Sequence, residues 1–275
     1  MKRIIVPIDF SPYSEWAFLS AVAIAEKTDA SITCVNVVTA SLDWKNIAVK
    51  EWVNYPEIMD LEEEATEKLD AFVREHVNAS VPMEAVVGVG IPYEVIIDIA
   101  HQHRADLIVI GAYGKGYEEG RFLGSNLQKV IRLASCPVLA VQKILDKSAL
   151  EKMAYASFFN EASKSAFEKM LPLIREVGAA VDFLYIHQQD RPIDPSAVLA
   201  RMENYAPVEE GLLVNKQIYD HEEAEKGIID YAERNGIGWI GIASNTRKAS
   251  SSYSIGVTET LIYRTDIPVL SVKVG

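Results

Sequence analysis

The sequence has no apolar run that approaches the roughly 18 residues of a membrane-spanning helix. Its opening, MKRIIVPIDF, reaches Asp9 after five apolar residues. That run is shorter than the apolar region of a secretory signal peptide, about 7–15 residues. We therefore interpret the opening as a first β-strand and expect a cytoplasmic protein with no membrane partner.

Cysteine is scarce. The two cysteines, Cys34 and Cys136, lie far apart, and the five histidines are scattered along the chain. No Cys or His spacing of a zinc site is present, and two distant cysteines do not form a disulfide framework. We expect two buried thiols in a reduced protein.

Basic residues are outnumbered, with 27 Lys and Arg against 39 Asp and Glu and a formal net charge of -12. Residues 1–145 carry 13 basic and 20 acidic side chains, and residues 146–275 carry 14 and 19. General nucleic-acid binding needs Lys and Arg to neutralise phosphates. Neither half has that excess, so we expect no nucleic-acid partner.

What is present is a regular alternation of two patterns. In the first half, short β-branched runs alternate with longer segments whose apolar residues fall on one helical face. They predict strands at 3–8, 31–38, 83–90, 105–111 and 137–142, and helices at 14–28, 61–77, 93–103 and 125–134. Ser11 or Ser14 is the expected cap of the first helix. This order predicts a parallel sheet with helices on both faces.

The second half repeats the first. VIIDIAHQHRADLIVIGAYG (95–114) aligns without a gap to GIIDYAERNGIGWIGIASNT (227–246), an offset of 132, and Ala17-Phe18 matches Ala166-Phe167 at an offset of 149. A chain of 275 residues has room for two ordinary domains. We predict two tandem α/β, Rossmann-like domains, each an open five-stranded, mainly parallel sheet.

The predicted domains are residues 1–145 and 146–275, joined by the polar segment KILDKSALEK (143–152). The last strands of the two copies, in CPVLAVQ (136–142) and IPVLSVK (267–273), have similar sequences. Pairing between them would close two open sheet edges within one chain.

A glycine-rich loop follows the fourth strand, with five glycines in the 14 positions from Gly111 to Gly124. Ser125 opens the next predicted helix, where free N–H groups favour an anion. The spacing fits neither the Walker A loop nor the dinucleotide fingerprint. From spacing alone, a phosphate-binding loop and a surface loop with incidental glycines both remain open.

A family resemblance favours the phosphate. Gly111-x2-Gly114-x9-Gly124-Ser125-Asn126 has the G-x2-G-x9-G-[ST] spacing of the ATP-binding universal stress protein family. IIVPIDFS and GIPYEVIIDIAHQHRADLIVIG also resemble family segments, and the likeness covers residues 1–142 and, more weakly, 150–273. It implies an adenine-nucleotide α-hydrolase-like fold, bound ATP with Mg²⁺, and stress-response regulation of an unidentified protein partner. Because universal stress domains dimerise through their last strands, it also implies an intramolecular pseudo-dimer of the two domains, and a possible homodimer.

The resemblance assigns a role to each matching position. Pro7, Ile8 and Asp9 would hold the adenine or ribose side, and Val37 would line the adenine pocket. Backbone atoms of Ile110, Gly111 and Gly114 would approach the ribose and phosphates, and Gly124, Ser125 and Asn126 would bind the phosphates. For Lys115 and Arg121 two interpretations remain open, contact with the phosphate tail or solvated loop charges.

The second copy has lost most of this pattern. Gly111, Gly114 and Ser125 correspond to Ala243, Thr246 and Val257, while Gly124 corresponds to Gly256. Asp9 corresponds to Phe158, whose ring we expect to fill the adenosine side. We therefore predict a degenerate C-terminal copy, although the hydroxyls and cations of SNTRKASSSYS (244–254) leave a different anion open.

The sequence places no Ser/His/Asp or Cys/His constellation and no general base near the predicted phosphates. A nucleotide-binding regulator is therefore the first prediction. A slow ATP hydrolase or nucleotidyl-transfer enzyme of the same fold is one alternative. A nucleotide-free interaction module is the other.

Overall fold

The computed structural model describes residues 1–40, 47, 49–76, 80–115, 125–188, 192–205, 212–244 and 256–274. A short 3-10 helix, Val49–Asn54, precedes the second α-helix. The strands and helices of the first half are β1 Arg3–Pro7, α1 Pro12–Thr28, β2 Ser31–Thr39, α2 Pro56–Glu75, β3 Met83–Gly90, α3 Pro92–Gln102, β4 Leu107–Gly111, α4 Ser125–Leu133 and β5 Val138–Val141.

The second half begins with a 3-10 turn at Ala149–Glu151. Its elements follow the same order: β6 Lys152–Ala156, α5 Glu161–Val177, β7 Ala180–His187, α6 Pro195–Glu203, β8 Val214–Asp220, α7 Ala224–Arg234, β9 Trp239–Ser244, α8 Val257–Arg264 and β10 Val269–Lys273. The predicted α/β alternation is confirmed in both halves.

In the described part of the chain, ten strands form one sheet in the order β3-β2-β1-β4-β5-β10-β9-β6-β7-β8. Within each half, neighbouring strands are parallel. β5 and β10 pair antiparallel, with Leu139 opposite Leu270, and this ladder joins the halves. The five-stranded sheets predicted for each half are thus the two sides of one continuous sheet, and the expected pairing of the last strands is present.

The sheet is buried on both faces because helices cover each side. Side chains alternate along a strand, so Ile4 and Val6 pack into one core and Ile5 into the other. The first core includes residues of α1, α2, α5 and α6, and the second includes residues of α3, α4, α7 and α8. This two-sided burial explains the near-continuous apolar runs of the strands.

Backbone geometry confirms both offsets of the repeat. The offset of 149 relates two non-glycine residues with positive φ, Phe10 at 62° and Phe159 at 55°. It also relates the helix caps that follow them, Ser11 and Asn160. The offset of 132 relates another left-handed pair, Arg104 at 49° and Gly236 at 61°.

Some predicted boundaries were wrong. α1 begins at Pro12 and α2 at Pro56, both earlier than predicted, because proline is well suited to the first turn of a helix. The segment 143–152 is not a purely polar linker, since Leu145 and Leu150 are buried and β6 already begins at Lys152. The domain boundary after residue 145 stays a prediction. Among the described residues, no helix is both long and apolar enough to cross a membrane.

Candidate functional site

The candidate site lies at the carboxyl edge of the N-terminal half of the sheet. β1 stands between β2 and β4, and the strand order reverses there, from β3-β2-β1 on one side to β4-β5 on the other. Ligands of open α/β sheets bind outside the carboxyl ends of the strands at such a switch point. The predicted residues at the ends of β1, β2 and β4 therefore share one edge.

Asp9 connects the end of β1 to the loop after β4. One carboxylate oxygen, Oδ2, accepts a hydrogen bond from the backbone N–H of Lys115 at 2.6 Å. The other, Oδ1, accepts from the backbone N–H of Ser11 at 3.0 Å and from its hydroxyl at 2.5 Å. The side chain is half-buried, so it remains within reach of a ligand at this edge.

Only part of this arrangement is specific to the site. The contacts between Asp9 and Ser11 form an Asx turn, which Asp146 with Ser148 and Asp194 with Ser196 repeat elsewhere in the chain. Sequence reasoning treated Ser11 only as a cap, although the D-x-S spacing is the signal for this turn. The long-range bond to Lys115 is what distinguishes Asp9.

Two predicted glycines are required by contacts within the protein. A Cβ on Gly111 would lie 2.7 Å from the carbonyl carbon of Tyr13 in α1. A Cβ on Gly114 would lie 2.8 Å from Oδ2 of Asp9. Gly111 thus allows α1 to pack against β4, and Gly114 allows the loop to reach the carboxylate. The role of Tyr13 was not visible in the sequence.

The remaining described residues of the prediction lie along the same edge. Pro7 is the last residue of β1, and the buried Ile8 follows it. Asn36 Nδ2 donates to the carbonyl oxygen of Ile8 at 2.7 Å, which holds β2 against this end. Val37 is half-buried near the end of β2, and Ile110 is buried at the end of β4.

The side chain of Lys115 is exposed. The pKa of Glu64 in α2 is lowered mainly by a hydrogen bond and the charge of Lys68, with a smaller contribution from the Lys115 charge. The Lys115 ammonium therefore interacts electrostatically with the carboxylate of Glu64.

Only some of the residues predicted to bind the phosphates lie within the described ranges. Arg121 and Gly124 lie outside the described residues, as does the side chain of Ser125, whose backbone begins α4. Asn126 follows as a half-buried residue of α4.

In the C-terminal half the same edge has different chemistry. Phe158 follows β6 at the position of Asp9, but its ring is 58% exposed and packs edge-on against Tyr185, with centroids 6.0 Å apart. The expectation that this ring fills the adenosine side is therefore wrong. The buried aromatic ring is that of Phe159. Ala243 lies near the carboxyl end of β9. Gly256 is the N-cap of α8, and Val257 is the first residue of that helix. Thr246 lies outside the described residues.

The sequence profile of the universal stress protein family matches residues 1–142. The chain belongs to the universal stress protein family. A universal stress protein of Methanocaldococcus jannaschii is 34% identical over 142 residues, which cover 52% of this chain and 82% of that protein. A putative universal stress protein of Staphylococcus aureus is 32% identical over 151 residues, which cover 51% of this chain and 84% of that protein.

The universal stress protein fold extends over both halves. The crystal structure of a universal stress protein from Archaeoglobus fulgidus covers 99% of this chain and 98% of that chain, with a TM-score of 0.74 and 19% identity. At that identity the likeness concerns the fold. The relatives that match at higher identity align with about half of the chain.

The cysteines offer no reactive thiolate in this universal stress protein. Burial raises the pKa of Cys34 to about 12 and that of Cys136 to about 11. Both thiols are therefore protonated at neutral pH. Within the described ranges, no group of three or more His, Cys, Asp or Glu side chains is arranged to hold a metal ion.

Proposed function

We propose that the N-terminal half binds ATP at the carboxyl edge of β1 and β4, and that the bound nucleotide regulates a protein partner in the cytoplasmic stress response. The observation that carries the proposal is the bond from the Lys115 N–H to Asp9, which orders the start of the glycine loop beside the β1 carboxylate. Membership of the universal stress protein family supports it. Homodimer formation stays a prediction.

Each side chain has a chemical reason to take part. A carboxylate oxygen has more than one lone pair, so Asp9 retains acceptor capacity for a ribose hydroxyl. Pro7, Ile8, Val37 and Ile110 supply apolar surface for the adenine. The free N–H groups at the start of α4, from Ser125 onward, favour a phosphate. Gly124 would allow close backbone approach, and Asn126 and Lys115 would add donors.

The protein's overall charge makes local donors important. With a net charge of -12, the whole chain repels a polyphosphate. Backbone N–H groups and the nearby Lys115 ammonium must provide the attraction. Mg²⁺ bound to ATP would neutralise part of the phosphate charge, and the carboxylate of Asp9 is compatible with a hydrated Mg²⁺ nearby.

The proposal is tested by mass spectrometry of small molecules released from freshly purified, denatured protein, followed by calorimetric titration with MgATP. We expect adenine nucleotide in the first experiment and one site per chain in the second. Asp9→Ala should abolish most of the affinity. Asp146→Ala is the matched control, because it removes an equivalent Asx turn at a residue outside the predicted site.

Three results would contradict the proposed ATP-dependent regulation, each in a different way. Absence of bound nucleotide and of any MgATP titration heat would favour an interaction module. Steady release of ADP or AMP that Asp9→Ala abolishes would favour an enzyme. Equal loss of affinity in Asp9→Ala and Asp146→Ala would show a general effect on folding.

A further inference from the structure

Helix α8 of the C-terminal half is held at both ends by side chains of the N-terminal half. Near its start, Arg132 of α4 donates to Glu259 Oε1 at 3.2 Å. At its end, Gln142, which follows β5, donates to the carbonyl oxygens of Ile262 and Thr265. The last carbonyl groups of a helix lack intrahelical partners, so the Gln142 amide caps α8 from the other copy.

Glu259 is an unusual residue to find at this interface. Its side chain is 11% exposed, whereas that of Arg132 is 61% exposed. A Cβ on Gly256, the N-cap of α8, would lie 2.5 Å from Glu259 Oε2. The carboxylate therefore lies between the positive end of the α8 dipole and the guanidinium of the other half. Removal of Arg132 would leave a buried carboxylate without its cation.

The contact runs in one direction only. The last strands and the buried faces of α4 and α8 match at an offset of 131, as in the pairing of Leu139 with Leu270, which places Gln128 at the position of Glu259 and Tyr263 at the position of Arg132. Gln128 has no carboxylate and Tyr263 has no cationic group, so the equivalent positions cannot form an ion pair. The pseudo-symmetric interface thus contains a charged contact from the first copy to the second, without the reciprocal one.

Arg132 lies in α4, which begins at the candidate site, and Gln142 follows β5, the strand that pairs with β4. Arg132 lies seven residues after Ser125 in α4, about 10 Å along the helix axis. Gln142 follows β5, and the Val141 carbonyl of that strand accepts from the N–H of Ala112, directly after Gly111, at 2.8 Å. A displacement of α4 would therefore be transmitted to α8 through Arg132, and a displacement of the residues after Gly111 would be transmitted through β5 and Gln142.

We infer that the Arg132–Glu259 pair couples nucleotide binding in the N-terminal half to helix α8 of the degenerate half. This inference rests on the proposed function. ATP at the start of α4 holds that helix in the position where Arg132 meets Glu259, and the pair in turn favours the ATP-bound arrangement. The C-terminal copy then acts as a built-in regulatory subunit whose α8 responds to occupancy of the other copy.

The test combines affinity with hydrogen exchange on the full chain. Coupled sites affect each other reciprocally, so Glu259→Gln and Arg132→Gln should each weaken MgATP binding about fivefold or more. The double variant should be no weaker than either single variant, since both remove the same contact. Arg264→Gln, which removes a different arginine in the last turn of α8, should leave the affinity unchanged. In the wild type, MgATP should slow amide exchange across residues 257–264.

The outcomes separate this inference from the proposed function. If MgATP does not bind the wild type, the proposed function fails and the coupling fails with it. If MgATP binds but exchange across residues 257–264 is unchanged, the coupling alone is overturned. Glu259→Gln with wild-type affinity and only a lower melting temperature would also overturn it, because the pair would then be purely structural. The wild-type exchange experiment needs no variant and remains decisive if one misfolds.

Discussion

The carboxylate of Asp9 accepts a hydrogen bond from the backbone N–H of Lys115 at 2.6 Å, although 106 positions separate the two residues in the sequence. Asp9 lies two residues after the end of β1, and Lys115 lies in the glycine loop that follows the neighbouring strand β4. Their contact joins the segment after β1 to the glycine loop at one edge of the sheet. It also explains Gly114, whose missing Cβ leaves space for the carboxylate oxygen.

Gly114→Ala should weaken this contact. The new methyl group would meet Asp9 Oδ2 at 2.8 Å and push the loop or the carboxylate away. A hydrogen bond to a charged group contributes about 1.5–3 kcal/mol, so we expect MgATP affinity to fall about tenfold or more. Calorimetric titration measures the loss. Wild-type affinity in Gly114→Ala would show that the Asp9–Lys115 contact does not matter for binding.

Gly111→Ala should destabilise the protein even without a ligand. Its Cβ would meet backbone atoms of Tyr13 at 2.7–2.8 Å, and backbone cannot rotate away as a side chain can. Overpacking of this kind costs about 1–3 kcal/mol. Urea unfolding measures the change in the free energy of unfolding.

The repeat supplies the control for Gly111. Ala243 occupies the equivalent position in β9, and Ala243→Gly should change stability by only about 0.5–1 kcal/mol. Equal effects at the two positions would mean that contact with Tyr13 does not explain Gly111.

Phe158 and Phe159 should respond differently to truncation. Phe158 is 58% exposed, and Phe159 is 2% exposed with rings of Phe183 and Tyr205 centred 5.2 and 5.1 Å away. We expect Phe159→Ala to cost about 3–5 kcal/mol and Phe158→Ala to stay within about 0.5 kcal/mol. Denaturant unfolding compares them. A large loss in Phe158→Ala would show that its ring is buried in solution.

Cys34 should make stability depend on pH in the alkaline range. Burial raises the pKa of its thiol from 9.0 to about 12. Between these values the unfolded chain has released a proton that the folded protein retains. The thiol's contribution is therefore fully present below pH 9 and is lost as the pH rises toward 12, by at most about 1.36 kcal/mol per pH unit.

Urea unfolding of wild type and Cys34→Ala from pH 8 to 11 measures this contribution. The variant should lose stability less steeply above pH 9. Cys136→Ala is the matched comparison, since the pKa of Cys136 is raised only to about 11. Parallel curves for the wild type and Cys34→Ala would contradict the prediction.

Local patterns predicted the elements well because their causes act over a few residues. The β-branched runs specified β1 to β5, and Ser11, one of the two expected caps, is the N-cap of α1. The repeat was also readable, since the offsets of 132 and 149 recur in the backbone angles. Boundaries were less accurate where proline extended a helix, as at Pro56.

The orientation of single side chains was less accessible. The sequence placed Phe158 at the position of Asp9, but it did not show that the neighbouring Phe159 is the ring that enters the core. Which of two adjacent aromatics is buried depends on the left-handed backbone at Phe159, with φ of 55°. The sequence likewise did not show that Leu145 and Leu150 of KILDKSALEK are buried, because their burial depends on the core residues that pack around them.

By itself, the sequence determined an α/β chain with two tandem copies, a glycine motif in one copy and its loss in the other. These follow from periodicity, residue spacing and internal similarity, which need no coordinates. Only the tertiary structure decided the antiparallel register of β5 and β10 and the contacts of Tyr13 with Gly111, Asp9 with Lys115, and Arg132 with Glu259. Such contacts join distant segments, and their distances depend on how whole helices and strands pack.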